Sequence, residues 1–140
     1  MVRRALLALA LLQPWVSPAT AAGELELASF RADAVVEILT RDADGELRET
    51  NVWCVVLDGA VYVRTNDSRW LANIRRGSEV ALRARGAESA VRAEEEGDAA
   101  RRAQVEEAFK EKYGLLQRAM SALRMREPTV LRLTSLAESP

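Results

Sequence analysis

Four polar residues, Asn66, Asp67, Ser68 and Arg69, follow an alternating segment and precede a helical pattern. Asp67 or Ser68 can cap this helix, because short oxygen-bearing side chains accept bonds from the backbone N–H groups of a first turn. A helix that begins here would present backbone N–H groups, a hydroxyl and the Arg69 guanidinium at one point, which suits a phosphate. An ordinary capped helix with Arg69 in water fits the same residues, so both interpretations stay open.

The segments on either side would hold these polar residues in place. Residues 61–65 alternate apolar and polar side chains, which predicts a strand. The helix has an apolar side formed by Trp70, Leu71 and Ile74. Gly77 can end the helix in a left-handed conformation, and alternation over residues 79–85 predicts the next strand. The polar residues are therefore expected at a junction between a strand and a short helix.

The composition excludes several classes of site. The chain has 140 residues, no His and one Cys, which excludes a Ser-His-Asp triad, a His metal ligand and an internal disulfide. Cys54 lies in the apolar run 52–57, which indicates a buried small residue rather than a redox thiol. The formal net charge of -1 argues against a general nucleic-acid binder. We predict no nucleic-acid partner and no bound metal.

Residues 1–22 are typical of a secretory signal peptide. Arg3 and Arg4 form a positive start, residues 5–12 are apolar, and the small residues 19–22 offer a cleavage site. The apolar run is too short to span a membrane, so we predict no stable membrane span. The context after the arginine pair lacks the polar and aromatic residues of a twin-arginine signal, which favours ordinary unfolded export. The mature protein is expected to be periplasmic or secreted by a bacterium.

The first half of the mature chain predicts hairpins. Residues 23–32 form a lead-in, interpreted as a short edge strand or a turn. Strands are predicted over residues 33–41 and 46–57, joined by a turn at 42–45. The second half of the longer strand is continuously apolar, which indicates burial on both faces, as in a central barrel strand. Asp58-Gly59 predicts a two-residue hairpin turn into the next strand.

The second half of the chain adds helices and a returning strand. The pattern predicts a strand over residues 89–94 and a helix over 99–113. Gly114 interrupts this helix, a second helix follows over 115–124, and the last strand covers 129–134. The order β-β-β-α-β-β-α-α-β predicts an α+β fold with a small mixed or antiparallel barrel that helices cover.

Four segments resemble known proteins. VRTNDSR at residues 63–69 is similar to the strand-to-helix segment with which pyridoxamine-phosphate oxidases hold the flavin phosphate. The stretch 70–82, with WLANI and SEVAL, is similar to the deazaflavin-dependent nitroreductases. Residues 108–113 and 129–133 are similar to the uncharacterised DUF2255 branch. The chain therefore resembles the split β-barrel superfamily that contains all three groups, and it is closest to the DUF2255 branch.

The resemblance covers residues 33–136 and implies a split β-barrel domain there, with a short tail at 137–140. It implies FMN or deazaflavin F420 as cofactor, a small-molecule substrate and a homodimer. The cofactor phosphate would lie at the helix start, Asp67–Ala72. The residues that it implies for cofactor binding are Arg64, Thr65, Asn66, Ser68, Arg69, Trp70 and Asn73.

The chain departs from the oxidase pattern at two places. Trp70 follows Ser-Arg where the oxidases carry Lys, and residues 50–52 lack the Arg that opens their preceding buried strand. Two charge contacts to a flavin phosphate are therefore missing. Arg48, Arg64, Arg75 or Arg76 could replace them if the fold brings one of these side chains to the site.

Two functions from different classes fit the sequence. The first is a flavin- or deazaflavin-dependent oxidoreductase, whose hydride chemistry belongs to the cofactor and needs neither His nor Cys. Trp53, Tyr62 or Trp70 would stack on the ring, although aromatic residues also commonly fill a core. The second is a non-catalytic protein that binds a small anionic ligand or a partner, which export as an unfolded chain favours. Haem handling, known for some relatives, ranks third because only a Tyr could ligate the iron well.

Overall fold

The structure of the protein is a computed structural model that describes residues 25–123 and 128–136, with the backbone alone over residues 115–123. The elements are α1 (Leu27–Ala32), β1 (Val36–Arg41), β2 (Leu47–Val52), β3 (Val55–Leu57), β4 (Ala60–Thr65), α2 (Arg69–Arg75), β5 (Val80–Ala84), β6 (Ala87–Glu95), α3 (Ala99–Leu123) and β7 (Thr129–Ser135). The predicted signal peptide and tail lie outside the described residues. None of the described helices is long and apolar enough to cross a membrane.

The strands form one antiparallel sheet in the order β2-β1-β5-β6-β7-β4-β3. Strands β2 and β3 lie at opposite edges of this order, although only Trp53 and Cys54 separate them along the chain. The three peptide units from Val52 to Val55 span at most about 11 Å. The two edges must therefore approach each other, so the sheet curls into a barrel. The predicted α+β split-barrel fold is confirmed.

The single strand predicted over residues 46–57 is wrong. Strand β2 pairs with β1 at one edge and β3 pairs with β4 at the other, so the chain crosses between edges at Trp53-Cys54. The apolar run is therefore not a central strand. It is apolar throughout because Cys54 and Val56 pack in the barrel interior, whereas Val55 and Leu57 pack under α3.

Both predicted hairpin turns are present. Asp58 and Gly59 have φ angles of 48° and 77°, the pair of positive values that a two-residue turn between twisted antiparallel strands requires. In the turn between β1 and β2, Gly45 has a φ angle of 89° and donates its N–H to the Asp42 carbonyl at 2.8 Å. Local sequence therefore determined both connections.

The lead-in at residues 23–32, predicted as an edge strand or a turn, contains helix α1 instead. Leu27 and Phe30 are three residues apart, a spacing that places both on one face of a helix. Phe30 is 2% exposed and packs in the barrel core, with Leu27 partly buried against the same cluster. Burial of this helical face explains why the prediction failed.

Two apolar cores stabilise the domain. The barrel interior is filled mainly by side chains of β1, β4, β5 and β7, including Ile38, Val61, Val63, Leu82, Leu131 and Leu133. A second core lies between the outer face of β3, β4 and β7 and the first part of α3. Its buried members are Val55, Ala60, Tyr62, Val105, Phe109 and Val130. The alternation along β4 explains the division, because successive side chains of a strand point to opposite faces.

The predicted interruption of the second-half helix is confirmed. Gly114 has φ 59° and ψ -130°, which is not helical and divides α3 into residues 99–113 and 115–123. A residue with a side chain would be strained at this φ, so the glycine permits the change in direction. The predicted end at Arg124 lies outside the described residues.

Candidate functional site

A cleft of about 260 Å³ opens where the two edges of the sheet meet, and we call it the seam cleft. Its described lining residues are Val35, Asn51, Val52, Trp53, Arg64, Thr65, Trp70 and Phe109. They come from the residue before β1, the end of β2, the end of β4, the start of α2 and the middle of α3. Trp53 belongs to the two residues between β2 and β3, Trp53-Cys54, which we call the crossing segment. The curl of the sheet therefore assembles the cleft from segments that are distant in sequence.

The seam cleft brings together three of the predicted site residues, Arg64, Thr65 and Trp70. Trp53, predicted as a stacking candidate, also lines it. The predicted positions Asn66, Ser68, Arg69 and Asn73 are not among the lining residues. Trp70 is 5% exposed and packs in the barrel core, so it forms a wall of the cleft.

Three aromatic side chains, two of which line the cleft, form a stack. The Trp53 and Tyr113 rings lie 4.2 Å apart between centroids and 6° from parallel, and Phe109 lies 5.7 Å from Tyr113. The Tyr113 hydroxyl accepts a bond from the Cys54 N–H at 3.0 Å and donates to the Ala34 carbonyl at 2.7 Å. Tyr113 therefore covers one face of the Trp53 ring, and its hydroxyl fixes this arrangement by bonding to the next residue, Cys54.

Arg64 carries the charge of the cleft, and it is paired with Glu106 of α3. Its Nη1 donates to both Glu106 carboxylate oxygens, at 2.5 and 2.6 Å. The guanidinium also lies 4.1 Å from the centroid of the Phe109 ring, a cation–π contact. The Arg64 side chain is 4% exposed, so this pair ties β4 to α3 in a largely dry environment.

The predicted phosphate position at Asp67–Ala72 begins with a capped helix. The Ser68 hydroxyl accepts a bond from the Leu71 N–H at 3.2 Å, as the ordinary capping interpretation requires. Asn66 and Arg69 are exposed beside it. Binding of a phosphate by these residues stays a prediction.

Asn73 binds neighbouring protein groups. It is 1% exposed, and its amide nitrogen donates to the Thr40 hydroxyl at 3.0 Å and to the Asp42 carboxylate at 2.8 Å. Its amide oxygen accepts a bond from Arg76 at 2.8 Å. These bonds tie α2 to β1 and the hairpin that follows it.

The arginines predicted as replacement phosphate contacts bond to protein groups. Arg48 forms two bonds to Asp42, at 2.8 and 3.0 Å, and Arg75 forms two to Glu95, at 2.9 and 2.8 Å. The Arg48 guanidinium, followed by the Asn73 amide, lowers the pKa of the Asp42 carboxyl to about 2. A ligand phosphate would have to compete with these carboxylates.

Cys54 is buried, as predicted, with 0% exposure. Burial raises the pKa of its thiol, which disfavours the reactive thiolate.

Lys112 donates to the Cys54 carbonyl at 2.8 Å and to the Phe30 carbonyl at 2.9 Å, so it holds α1, the crossing segment and α3 together.

Sequence reasoning missed Glu106 and Tyr113. Glu106, Phe109 and Tyr113 recur at intervals of three and four residues, which places them on one face of α3. That spacing could have indicated a polar and aromatic face toward the barrel. The partners, Arg64 and Cys54, are 42 and 59 residues away in sequence, so no local pattern identifies them.

We expect Tyr113 to ionise late in the folded protein. Burial raises the pKa of its phenol to about 12, against about 10 in the unfolded chain. The neutral phenol is favoured by the fold, so its contribution to stability is complete below about pH 10 and is lost toward about pH 12. Phenolate absorbance measured against Tyr113→Phe isolates this titration. A midpoint near 10 in the folded protein would contradict the prediction.

Solved structures with similar folds include the following three. The heme storage protein HutZ from Vibrio cholerae aligns with a TM-score of 0.61 and 18% identity, over 79% of this chain and 87% of that chain. An F420-H2 dependent reductase, FDR-A, aligns with a TM-score of 0.58 and 16% identity, over 71% and 93% of the two chains. A putative pyridoxamine 5'-phosphate oxidase from Listeria innocua aligns with a TM-score of 0.58 and 12% identity, over 79% and 90%. These likenesses show the fold.

No curated protein matches the chain. A family model described as "Uncharacterized protein conserved in bacteria (DUF2255)" matches residues 21–133. This match includes every strand of the barrel apart from the end of β7, together with the cleft and both cores. The sequence match and the split-barrel fold agree, and the chain belongs to the DUF2255 family.

Proposed function

We propose that this protein binds a planar aromatic cofactor of the flavin or deazaflavin class, FMN or F420, in the seam cleft and uses it in oxidoreduction of a small molecule. The observation that carries the proposal is the Trp53 ring in the cleft wall, backed by Tyr113 at 4.2 Å. A tryptophan held in this way suits stacking against a flat ring. The F420-dependent reductase and the oxidase among the similar folds support the same cofactor class.

The residues of the cleft fit a flavin-type ring by their chemistry. Val35, Val52 and Trp53 supply apolar surface, and Asn51 and Thr65 supply hydrogen-bonding groups for a polar ring edge. Asn66, Ser68 and Arg69 continue the chain from Thr65 and would hold the phosphate. The cofactor would supply the hydride chemistry. The work of these residues is to bind and orient the ring and to exclude water from it.

A non-catalytic ligand-binding function is the second candidate. It is favoured by the carboxylate partners of Arg48 and Arg75, because both arginines would have to exchange a protein carboxylate for a cofactor phosphate. Haem fits less well. Tyr62 is 2% exposed and the Tyr113 hydroxyl bonds to backbone groups, so neither tyrosine presents an open iron ligand.

We propose a homodimer as the working form. The cleft volume of about 260 Å³ lies just below the range of roughly 300–1,000 Å³ typical of small-molecule pockets. A second copy that covers the open side would enlarge the enclosed site. Light scattering of the purified protein tests this, and a monomer at all concentrations would contradict it.

We also propose that the protein is exported, because the pattern of residues 1–22 is that of a signal peptide. Mass spectrometry of a periplasmic fraction should find a chain that begins at Ala22 or Gly23. An intact Met1 in the cytoplasmic fraction would contradict the export proposal.

Tryptophan fluorescence tests cofactor binding at the cleft itself. Trp15, Trp53 and Trp70 are the three tryptophans, so full-length Trp15→Phe protein reports only on two cleft residues. We expect FMN or F420 to quench this emission saturably and to raise the melting temperature. A ligand at about one hundred times its Kd stabilises by about 2.7 kcal/mol. Unchanged emission and melting temperature with both ligands would refute the proposed function.

Variants in the same titration test the phosphate position. Arg69→Ala should weaken FMN binding about tenfold, because a charge-assisted bond to phosphate is lost. Arg132→Ala is the matched control, since it removes an arginine that has a side chain 42% exposed and does not line the cleft. Equal affinities of Arg69→Ala and the unmutated chain would remove Arg69 from the site.

A further inference from the structure

We infer that Glu106 determines the ligand preference of the seam cleft by occupying Arg64. The cleft then accepts an uncharged polar ring edge at its Arg64 end and excludes a carboxylate, sulfonate or phosphate there. This inference rests on the proposed use of the cleft as a ligand site. It also goes further, because it assigns the charge of the group that a ligand presents to Arg64.

The geometry leaves the Arg64 guanidinium little freedom to change partners. Both Glu106 oxygens bond to its Nη1, and the Phe109 ring packs against it at 4.1 Å. The Arg64 side chain is 4% exposed, whereas that of Glu106 is 35% exposed. The cation is therefore buried with its counter-ion already in place, and the carboxylate faces partly toward water.

The charge balance of the cleft follows from this pair. Arg64 is the only ionisable side chain among the described lining residues, and the Glu106 carboxylate neutralises it. An incoming anion would either lie beside Glu106 and be repelled, or displace Glu106 from two short bonds. Displacement would only exchange one anion for another at Arg64, so the loss of the two Glu106 bonds would offset most of the gain. A neutral ligand meets neither obstacle, and Asn51 and Thr65 remain to bond its polar edge.

The Arg64–Glu106 pair also favours one orientation of a bound cofactor over the reversed one. An uncharged ring edge would lie toward Arg64, and a phosphate would lie toward the exposed Arg69. Glu106 thus disfavours the reversed orientation, in which the phosphate would enter at Arg64. It is a specificity-determining residue that acts through Arg64.

Two aromatic probes with the same ring test the inference without any flavin. Naphthalene-2-carboxylate and naphthalene-2-carboxamide differ in charge and hardly in size. Both are titrated against full-length Trp15→Phe protein and against the same protein carrying Glu106→Gln, with Trp53 and Trp70 emission as the readout. Glu107→Gln is the matched control, because Glu107 is 66% exposed and its described ion pair is with Lys110 at 3.8 Å.

We expect the protein with Glu106 to bind the carboxamide more tightly than the carboxylate. Glu106→Gln should improve carboxylate binding at least tenfold relative to carboxamide, because an uncharged amide then replaces the carboxylate that bonds to Arg64. Glu107→Gln should leave the ratio within twofold. Circular dichroism confirms that each variant is folded.

Several results would overturn the inference. They are equal binding of the two probes or a carboxylate preference in the protein with Glu106, an unchanged ratio in folded Glu106→Gln, an equal gain in Glu107→Gln, and binding of neither probe. The comparison of carboxylate and carboxamide binding by the protein with Glu106 needs no change at that residue. It therefore tests the inference even if Glu106→Gln does not fold. Probe binding without FMN or F420 binding would refute the proposed cofactor and leave this inference standing.

Discussion

Phe109→Ala should lower the free energy of unfolding by about 3–5 kcal/mol, the cost of removing a fully buried aromatic ring. Phe109 is 0% exposed and packs between Tyr113 and the Arg64 guanidinium in the core beneath α3. The variant leaves a cavity at that position and removes a cation–π contact. Urea denaturation monitored by circular dichroism measures the loss.

Phe109→Leu is the matched control for the ring, since it retains much of the apolar volume. It should cost clearly less than Phe109→Ala, because a smaller cavity forms. A loss below about 1 kcal/mol for Phe109→Ala would mean that α3 contributes little to the fold, which would contradict the packing described for its first part.

Asn73→Ala should cost about 2–4 kcal/mol, because it leaves buried or partly buried polar partners without their bonds. The amide of Asn73 serves Thr40, Asp42 and Arg76, and Thr40 is 0% exposed. Asn66→Ala is the matched control, since it removes the same side chain from an exposed position just before α2. It should change stability by less than about 0.5 kcal/mol.

The free energy of unfolding of Asn73→Ala at acid pH provides a second test. The pKa of the Asp42 carboxyl is lowered to about 2, first by Arg48 and then by Asn73. Its contribution to stability is therefore present above its unfolded pKa and is lost as the pH falls toward about 2. Without Asn73 this loss should be smaller, because the folded and unfolded pKa values lie closer together. Identical acid curves would contradict the role assigned to the Asn73 amide.

The sequence predicted the features that depend on a few neighbouring residues. The turn at Asp58-Gly59, a helix cap at Asp67 or Ser68 and the interruption at Gly114 all follow from conformational preferences of residues in direct succession, and the structure places the cap at Ser68. The resemblance over residues 63–69 was also a local signal. It assigned Arg64 and Thr65 to cofactor binding, which stays a prediction, and both residues line the seam cleft.

Predictions failed where the outcome depended on contacts between distant segments. Residues 23–32 contain α1 because Phe30 is buried in the barrel core. Residues 46–57 were predicted as one strand, but the apolar run 52–57 lies where two edges of the sheet meet. The run is apolar because its two faces pack in two different cores. The local sequence pattern shows which side chains share a face of a helix or strand. It does not show which distant segments cover that face.

The sequence by itself determined the two hairpins, the family resemblance and the elements other than α1 and the separate strands β2 and β3. Only the tertiary structure decided that Asn73 bonds to Thr40 and Asp42, that Trp53 is backed by Tyr113, and that Arg64 is paired with Glu106. The physical reason is distance along the chain. Turns and caps are decided by steric and hydrogen-bonding preferences within a few residues, whereas these contacts join segments that meet only after the sheet has curled and α3 has packed on it.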